Sequence, residues 1–307
     1  MSKTQSCKES SNNSGEHLYG TVPRVDHWFL VEYRDHWERD LLEKSSVSKE
    51  VKNELNNLLL SFKNSRLQLI KSDGSADNNI CFYYINSTEF QPKAYKFVLN
   101  NYEDILRLNL ADLVERGDIS DSETDENLVL VCTHGSYDSC CGKYGVQVYN
   151  EIQKNSDIKV WRTTHVGSHR FSANLVMLPQ GIYYGRVNTE NVEEIIKSHL
   201  NNKIYLDCFR GRCCYSQSSQ VADFFLRKEL KKYGIFDIRW ESEKDRDAYA
   251  AVEFKIESEN VGFSVNSVVL NDAIKIKASC RDEKPTRIPQ FYFYSIVPYI
   301  PKEKKED

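Results

Sequence analysis

Glycine and proline are scarce, 13 and 7 in 307 residues, while apolar residues make up 40% and aromatics 12%, which excludes a disordered or low-complexity chain. No apolar run approaches the eighteen residues of a membrane span, and the opening MSKTQSCKESSNNSGEH lacks the apolar stretch of a secretory signal. The expected compartment is therefore the cytoplasm. Charge of one sign is missing too: 41 basic against 45 acidic residues leave −4, no footprint for nucleic acid or an anionic membrane. Neither C-x-x-C nor the G-x-G-x-x-G of a dinucleotide site occurs. What the chain does have is cysteine. Nine thiols, an odd number, in a reducing compartment argue against a closed disulfide framework and for metal or redox use.

The length suits about two domains of roughly 150 residues. Residues 1–17 offer almost nothing to bury and read as a flexible tail, with Cys7 its one chemically interesting member. Residues 18–120 read as an N-terminal α/β unit. Trp28 to Tyr33 suit a buried strand, Ser48 caps a helix carrying Val51, Leu55 and Leu58, and SRLQLIK and NICFYYINS flank a turn at Gly74. A broken helical pattern over Asn100–Arg116 and an acidic loop close this unit. Residues 127–204 begin with NLVLV, a strand buried on both faces that runs into Cys132. A turn-rich loop, a helix from near Gly142, a strand, the hairpin NLVMLPQGIYYGRV and a helix over Val192–Leu200 follow. This β-α-β-β-β-α order is that of a thioredoxin-like layer, among other small α/β folds. Residues 205–307 read as an α+β region, with a helix over Ser219–Lys232, several strands and a solvated KEKKED end.

Within residues 132–169 stand Cys132, His134, Cys140, Cys141, His165 and His169. Four thiol and imidazole ligands from two short loops can surround a transition metal, and Cys132 lies at the carboxyl end of a buried strand, where open α/β sheets place their ligands. The wide spacing of Cys132 and Cys141 is unlike a zinc knuckle, while two thiolates with two imidazoles is also the composition of a Rieske-type [2Fe-2S] centre. From the residues alone, zinc and iron-sulfur both stand.

CTHGSYDSCCGKYG followed by VWRTTHVGSHRFSANLVMLPQGIYYGRV resembles the sucrase/ferredoxin-like family, as do GTVPRVDHWFLVEYRDHWERDLL and FRGRCCYSQSSQVADFFLR; residues 240–307 match least. The resemblance implies an α/β fold: a thioredoxin-like ferredoxin domain holding one [2Fe-2S] cluster, with an N-terminal α/β unit and a C-terminal α+β extension. In fungal relatives the ligands are two cysteines and the histidines of an HxGGH motif, which carry over to Cys132, Cys141, His165 and His169. Cys140 matches a position that need not be cysteine. Ser168 stands where the family often has a second glycine, restricting the bend. Imidazoles in place of two thiolates would raise the potential and allow a proton to move with the electron.

Four further residues are candidates for supporting the cluster: His134 by a bond to its sulfur or by fixing the loop, Asp138 as a cap, Cys140, and Arg170 as a cation or a salt bridge. Arg210 and Arg212 could receive an anionic partner, while Cys208, Cys213 and Cys214 read as structural thiols. The expected function is that of an electron carrier served by a separate reductase and acceptor, not a stand-alone enzyme. The alternatives are a thiol-redox enzyme on a thioredoxin-like scaffold using Cys140, Cys141 or Cys132, and a structural zinc-binding interaction protein. No carboxylate pair suggests itself for sucrase chemistry, and no feature sets the oligomeric state.

Overall fold

The structure is a computed structural model that describes residues 5–40, 42–73, 78–154, 158–256 and 258–301. The expected flexible tail holds a helix. Ser6 caps α1 (Cys7–Asn13) by accepting from the Glu9 N–H, while the Glu9 carboxylate accepts from the Ser6 N–H. Cys7 and Ser11 are buried, and the chain beyond is held by Arg170 on the Glu16 carboxylate and Arg186 on the Glu16 carbonyl. So polar a segment has no amphipathic signature, because its order comes from distant partners.

The N-terminal elements are the expected strands and helices and one strand, Lys93–Leu99, that sequence reading did not foresee. They are β1 (His27–Glu32), α2 (Lys49–Ser61) with Ser48 accepting from the Val51 N–H, β2 (Ser65–Lys71), β3 (Ile80–Asn86), β4 (Lys93–Leu99) and α3 (Leu110–Arg116). The acidic loop contains a short strand, β5 (Glu123–Thr124), paired with β4. Next come β6 (Leu128–Cys132), α4 (Ser139–Ile152), β7 (Lys159–Thr163), β8 (Leu175–Leu178), β9 (Ile182–Tyr184) and α5 (Val192–Leu200). Helix α4 starts at Ser139, before the expected Gly142, because the Asp138 carboxylate accepts from the Cys140 N–H and caps it. Strand β6 runs parallel to β7 and antiparallel to β8, which pairs antiparallel with β9, giving a thioredoxin-like layer. Strand β10 (Phe209–Arg212) edges it, and β2 pairs antiparallel with β7, so one ten-stranded sheet of order β10-β9-β8-β6-β7-β2-β1-β3-β4-β5 runs through both units.

Alternation along β6 divides the core between the two faces of this sheet. Leu128, Leu130 and Cys132 pack with Trp28, Trp161 and Tyr183, whereas Val129 and Val131 meet Tyr149 and Ile152 of α4 and Ile195 of α5. Full burial of each such aliphatic chain contributes roughly 1.5–3 kcal/mol. The C-terminal region comprises α6 (Gln217–Leu230), β11 (Arg239–Arg246), β12 (Tyr249–Ile256), β13 (Val261–Ile276) and β14 (Thr286–Tyr299). The last four form an antiparallel sheet whose Val252, Phe254 and Val265 pack on Ala222 and Leu226 of α6. Gly74 and the KEKKED end lie outside the described residues. Among the described residues no helix is long and apolar enough to cross a membrane.

Candidate metal centre

Cys132 is the last residue of β6, and α4 begins a short loop later. The helix packs unusually close to the strand end: a Cβ on Gly145 would stand 2.0 Å from the Cys132 carbonyl oxygen, so only glycine fits there. Consecutive helical residues point about 100° apart. In the first turn of α4 the vicinal cysteines therefore diverge, Cys141 toward Cys132 and Cys140 away from it.

His165 completes the first group. Its Nδ1 lies 3.9 Å from the Cys132 sulfur and 3.7 Å from the Cys141 sulfur, and ligand atoms of all three residues fall within 4.8 Å of one another. Three contacts fix this histidine. Its carbonyl accepts from Arg66 at 2.7 Å, its N–H donates to His134 Nδ1 at 3.3 Å, and its ring stacks on Tyr137 with centroids 4.1 Å apart. With Nδ1 accepting, His134 Nε2 carries the proton and donates to the Glu38 carbonyl at 3.1 Å. His134 thus ties the His165 backbone to the Glu38 carbonyl.

His169 stands just outside the group, its ring centroid 5.1 Å from that of His165. Gly167 at φ +108° and Ser168 at φ +54° make the turn between them. Ser168 is thus a left-handed non-glycine residue, with a strain of roughly 1–2 kcal/mol. Asn174 Nδ2 donates to the Ser168 carbonyl and holds the turn.

Burial and partners set the electrostatics. The Cys141 thiol donates to Cys132, and with His165 it holds the Cys132 thiol well below its ordinary range despite complete burial. Burial lowers the pKa of His169, against the Asp138 carboxylate, which lies 3.6 Å from Nε2 and raises it. Both ring nitrogens of His169 are buried without a hydrogen-bond partner, an arrangement that suits a metal ligand and is costly otherwise. A lowered thiol, a second thiol in contact with it, one imidazole facing both and an orphaned imidazole beside them form a soft, mixed donor set that fits a thiophilic transition metal or an iron-sulfur cluster.

Other expected residues have different roles. Arg170 is no free cation; its Nε donates to the buried Glu16 carboxylate at 2.7 Å. Arg210 is fully buried on Thr21 and Asn174, and Arg212 is fully buried beside Tyr215 and Glu89, so neither is available to an anionic partner. Cys208, Cys213 and Cys214 are buried and fall in three different core clusters, as expected of structural thiols. Cys140 belongs to a second group with Cys7, Asp138 and Cys280. Sequence reading missed Cys280 and Tyr137 and placed Cys7 in a tail; only an unusually high cysteine count hinted at the first and last.

Comparison with known proteins sets these features in a family. A 31% identical stretch of 135 residues is shared with "Altered inheritance of mitochondria protein 32" of Meyerozyma guilliermondii, covering 40% of this chain and 46% of that protein. The protein of the same name from Debaryomyces hansenii is 28% identical over 105 residues, 31% of this chain and 38% of its own length. The chain thus spans less than half the length of these curated relatives. Among solved structures, the thioredoxin-like [2Fe-2S] ferredoxin of Aquifex aeolicus aligns at 21% identity and a TM-score of 0.25, covering 28% of this chain and 91% of the ferredoxin. A cysteine-to-serine variant of that ferredoxin aligns at 20% identity and a TM-score of 0.25, covering 27% and 96%. The sequence profile of the sucrase/ferredoxin-like family matches residues 18–211, more than half of the 307, and the chain belongs to that family.

Proposed function

We propose that this protein is an electron-transfer module carrying one [2Fe-2S] cluster on Cys132, Cys141, His165 and His169. The observation that carries the reading is the convergence of Cys132, Cys141 and His165 ligand atoms within 4.8 Å, beside the buried ring of His169, whose Nε2 faces the Asp138 carboxylate at 3.6 Å. The cluster, when bound, takes up and releases one electron. The protein supplies the rest. Cys132 and Cys141 form the buried floor, while His165 is only partly covered and makes the rim that a partner can approach, and His169 keeps both ring nitrogens buried. Tyr137 and His134 hold His165 in place, so little reorganisation accompanies a change of charge. A ring N–H on this rim is where a proton can be exchanged together with the electron.

With no dinucleotide signature in the chain, electrons come from a separate reductase and pass to a separate acceptor. The nine thiols, none in a disulfide, suit a reducing compartment, which we assign as the cytoplasm. The divergence of Cys140 and Cys141 speaks against a vicinal thiol-redox couple. Anaerobically purified protein is expected to be red-brown, with about two iron and two sulfide per chain and a signal on reduction typical of mixed Cys/His ligation. Colourless protein with stoichiometric zinc bound through Cys132 would overturn the assignment in favour of a structural metal.

A further inference from the structure

Three thiols that the sequence scatters over most of its length meet in one place. Cys7 and Cys140 sulfurs lie 3.4 Å apart, Cys140 and Cys280 3.3 Å, and Cys280 and Cys7 3.5 Å. The triangle is almost equilateral. A carboxylate completes it: Asp138 Oδ1 is 3.8 Å from the Cys7 sulfur, and ligand atoms of all four residues fall within 4.8 Å of one another. Cys7, Cys140 and Asp138 are 0%, 2% and 1% exposed, and Cys280 is half-buried, leaving one side open for entry.

From this arrangement we infer that Cys7, Cys140, Cys280 and Asp138 form a second metal site, separate from the Cys132 centre, that takes one zinc ion. Structural zinc is bound tetrahedrally by four protein ligands with Zn–S near 2.3 Å, which sets sulfur-sulfur edges of roughly 3.8 Å. The three edges here need open by only a few tenths of an ångström. A disulfide, at about 2.05 Å, would engage two of the thiols and strand the third. The carboxylate beside the thiols already caps α4, so it is fixed in place to supply a fourth ligand atom. Three thiolates with one oxygen match zinc better than copper(I), which favours an all-sulfur set. On binding, Zn²⁺ displaces to solvent the protons that the three thiols still carry and forms three Zn–S bonds and one Zn–O bond, with no change of oxidation state.

The surroundings orient the ligands as they do in metal sites. Asp138 accepts from the Cys140 N–H at 2.9 Å, the Cys280 N–H at 2.9 Å and the Ser279 hydroxyl at 3.1 Å. Ser10 of α1 accepts from the Lys277 N–H at 2.9 Å, so the connection between β13 and β14 is already docked on the N-terminal helix. The ion would clasp both segments to the first turn of α4, beside His169. Positions 7, 140 and 280 lie 133 and 140 residues apart, so such a cross-link removes much of the unfolded chain's freedom.

The test uses the full chain. After growth with zinc and extensive dialysis, the wild-type protein should hold about one zinc per chain in addition to any iron. Cys7→Ser and Cys280→Ser should each lose it and keep the visible chromophore of the Cys132 centre, whereas Cys132→Ser should lose the chromophore and keep the zinc. Wild-type protein that takes up no zinc, or zinc that survives in both Cys7→Ser and Cys280→Ser, overturns the proposal. Two zinc ions, one lost with Cys132→Ser and one with Cys280→Ser, would support this site while overturning the cluster assignment. Alkylation of the unmodified chain covers the case in which a variant misfolds. Cys7, Cys140 and Cys280 should react at least tenfold faster once a zinc chelator is present, with Cys208 and Cys213 unchanged. Equal rates with and without chelator, or a disulfide among the three, would refute it.

Discussion

Two groups of soft ligands share the first turn of α4 and differ in how the chain builds them. The Cys132 centre takes its candidates from residues 132–169, on the loops of a single βαβ unit. The Cys7 group gathers α1, the start of α4 and the β13–β14 connection, segments whose thiols lie 133 and 140 residues apart in sequence. Neighbours in sequence, Cys140 and Cys141 belong to different groups because one step along a helix turns the side chain through about 100°. Asp138 touches both, capping α4, ordering Cys280 and facing His169 at 3.6 Å. Chemistry built on a local motif can be read from spacing, whereas chemistry built on tertiary closure cannot.

The largest effect that tests this division is all-or-none. Cys141→Ser is expected to abolish the visible chromophore and bound iron, and Cys140→Ser to keep both while losing zinc, as measured by absorbance and by iron, sulfide and zinc analysis. A chromophore that follows Cys140 instead would move the ligand by one residue and merge the two groups into one.

Legibility follows the same line. The buried run NLVLV, the Ser48 cap and the Val192, Ile195 and Ile196 part of the α5 stripe were readable because period and cap chemistry act within a turn or two, while Leu200 of the expected stripe is exposed. That residues 132–169 hold one cluster of candidate ligands was readable from their spacing, whereas the preference for Cys141 over Cys140 came only from the family resemblance. The β6-α4-β7 unit brings Cys132, Cys141 and His165 together. The order of residues 7–13 was not, since α1 is stabilised by Arg170, Arg186 and the β13–β14 connection instead of by its own apolar face. Arg210 and Arg212 misled for a related reason: charge suggests a surface, and only the fold reveals carbonyl and hydroxyl partners that keep them buried.

Acid should weaken the fold by a route that bypasses both groups. His199, 4% exposed in the last turn of α5, has its pKa lowered to about 4 by burial, and its Nδ1 has no partner. Between about 6.5 and 4 the unfolded chain binds a proton that the folded one refuses, so the stability present above the unfolded pKa is lost as pH falls through this window. The loss approaches about 3 kcal/mol, at 1.36 kcal/mol per unit. Urea midpoints measured from pH 7 to 4 should fall steeply for wild type and less for His199→Leu. If the two curves are parallel, the acid sensitivity lies in the metal-binding groups and the separation of fold from site fails.

Asp138→Asn probes the one residue common to both groups. Asparagine caps a helix about as well as aspartate, so α4 should persist. Loss of the carboxylate removes the one oxygen ligand and should weaken zinc binding by at least the roughly 10–100-fold that losing an outer hydrogen-bond partner costs. Removing a negative charge that raises the His169 pKa should also move any His169-linked pH response of the potential to lower pH. A change at one group only would show that Asp138 serves that group alone.

The smallest effect sharpens the comparison at the Cys132 centre. Ser168 holds φ +54° at the turn between His165 and His169, where L residues carry a cost of roughly 1–2 kcal/mol that glycine escapes. Glycine also gives the unfolded chain more freedom, which offsets about 0.4–1 kcal/mol of the gain. Ser168→Gly should therefore stabilise the protein by about 0.5–1 kcal/mol, because the Ser168 contacts to Asn174 and Phe171 use its carbonyl oxygen and remain. Thermal melts should shift up by a few degrees with zinc content and chromophore unchanged. A shift downward would mean that the serine rigidifies the histidine loop more than it strains it, and the centre that looks most local would then depend on this one side chain for its shape.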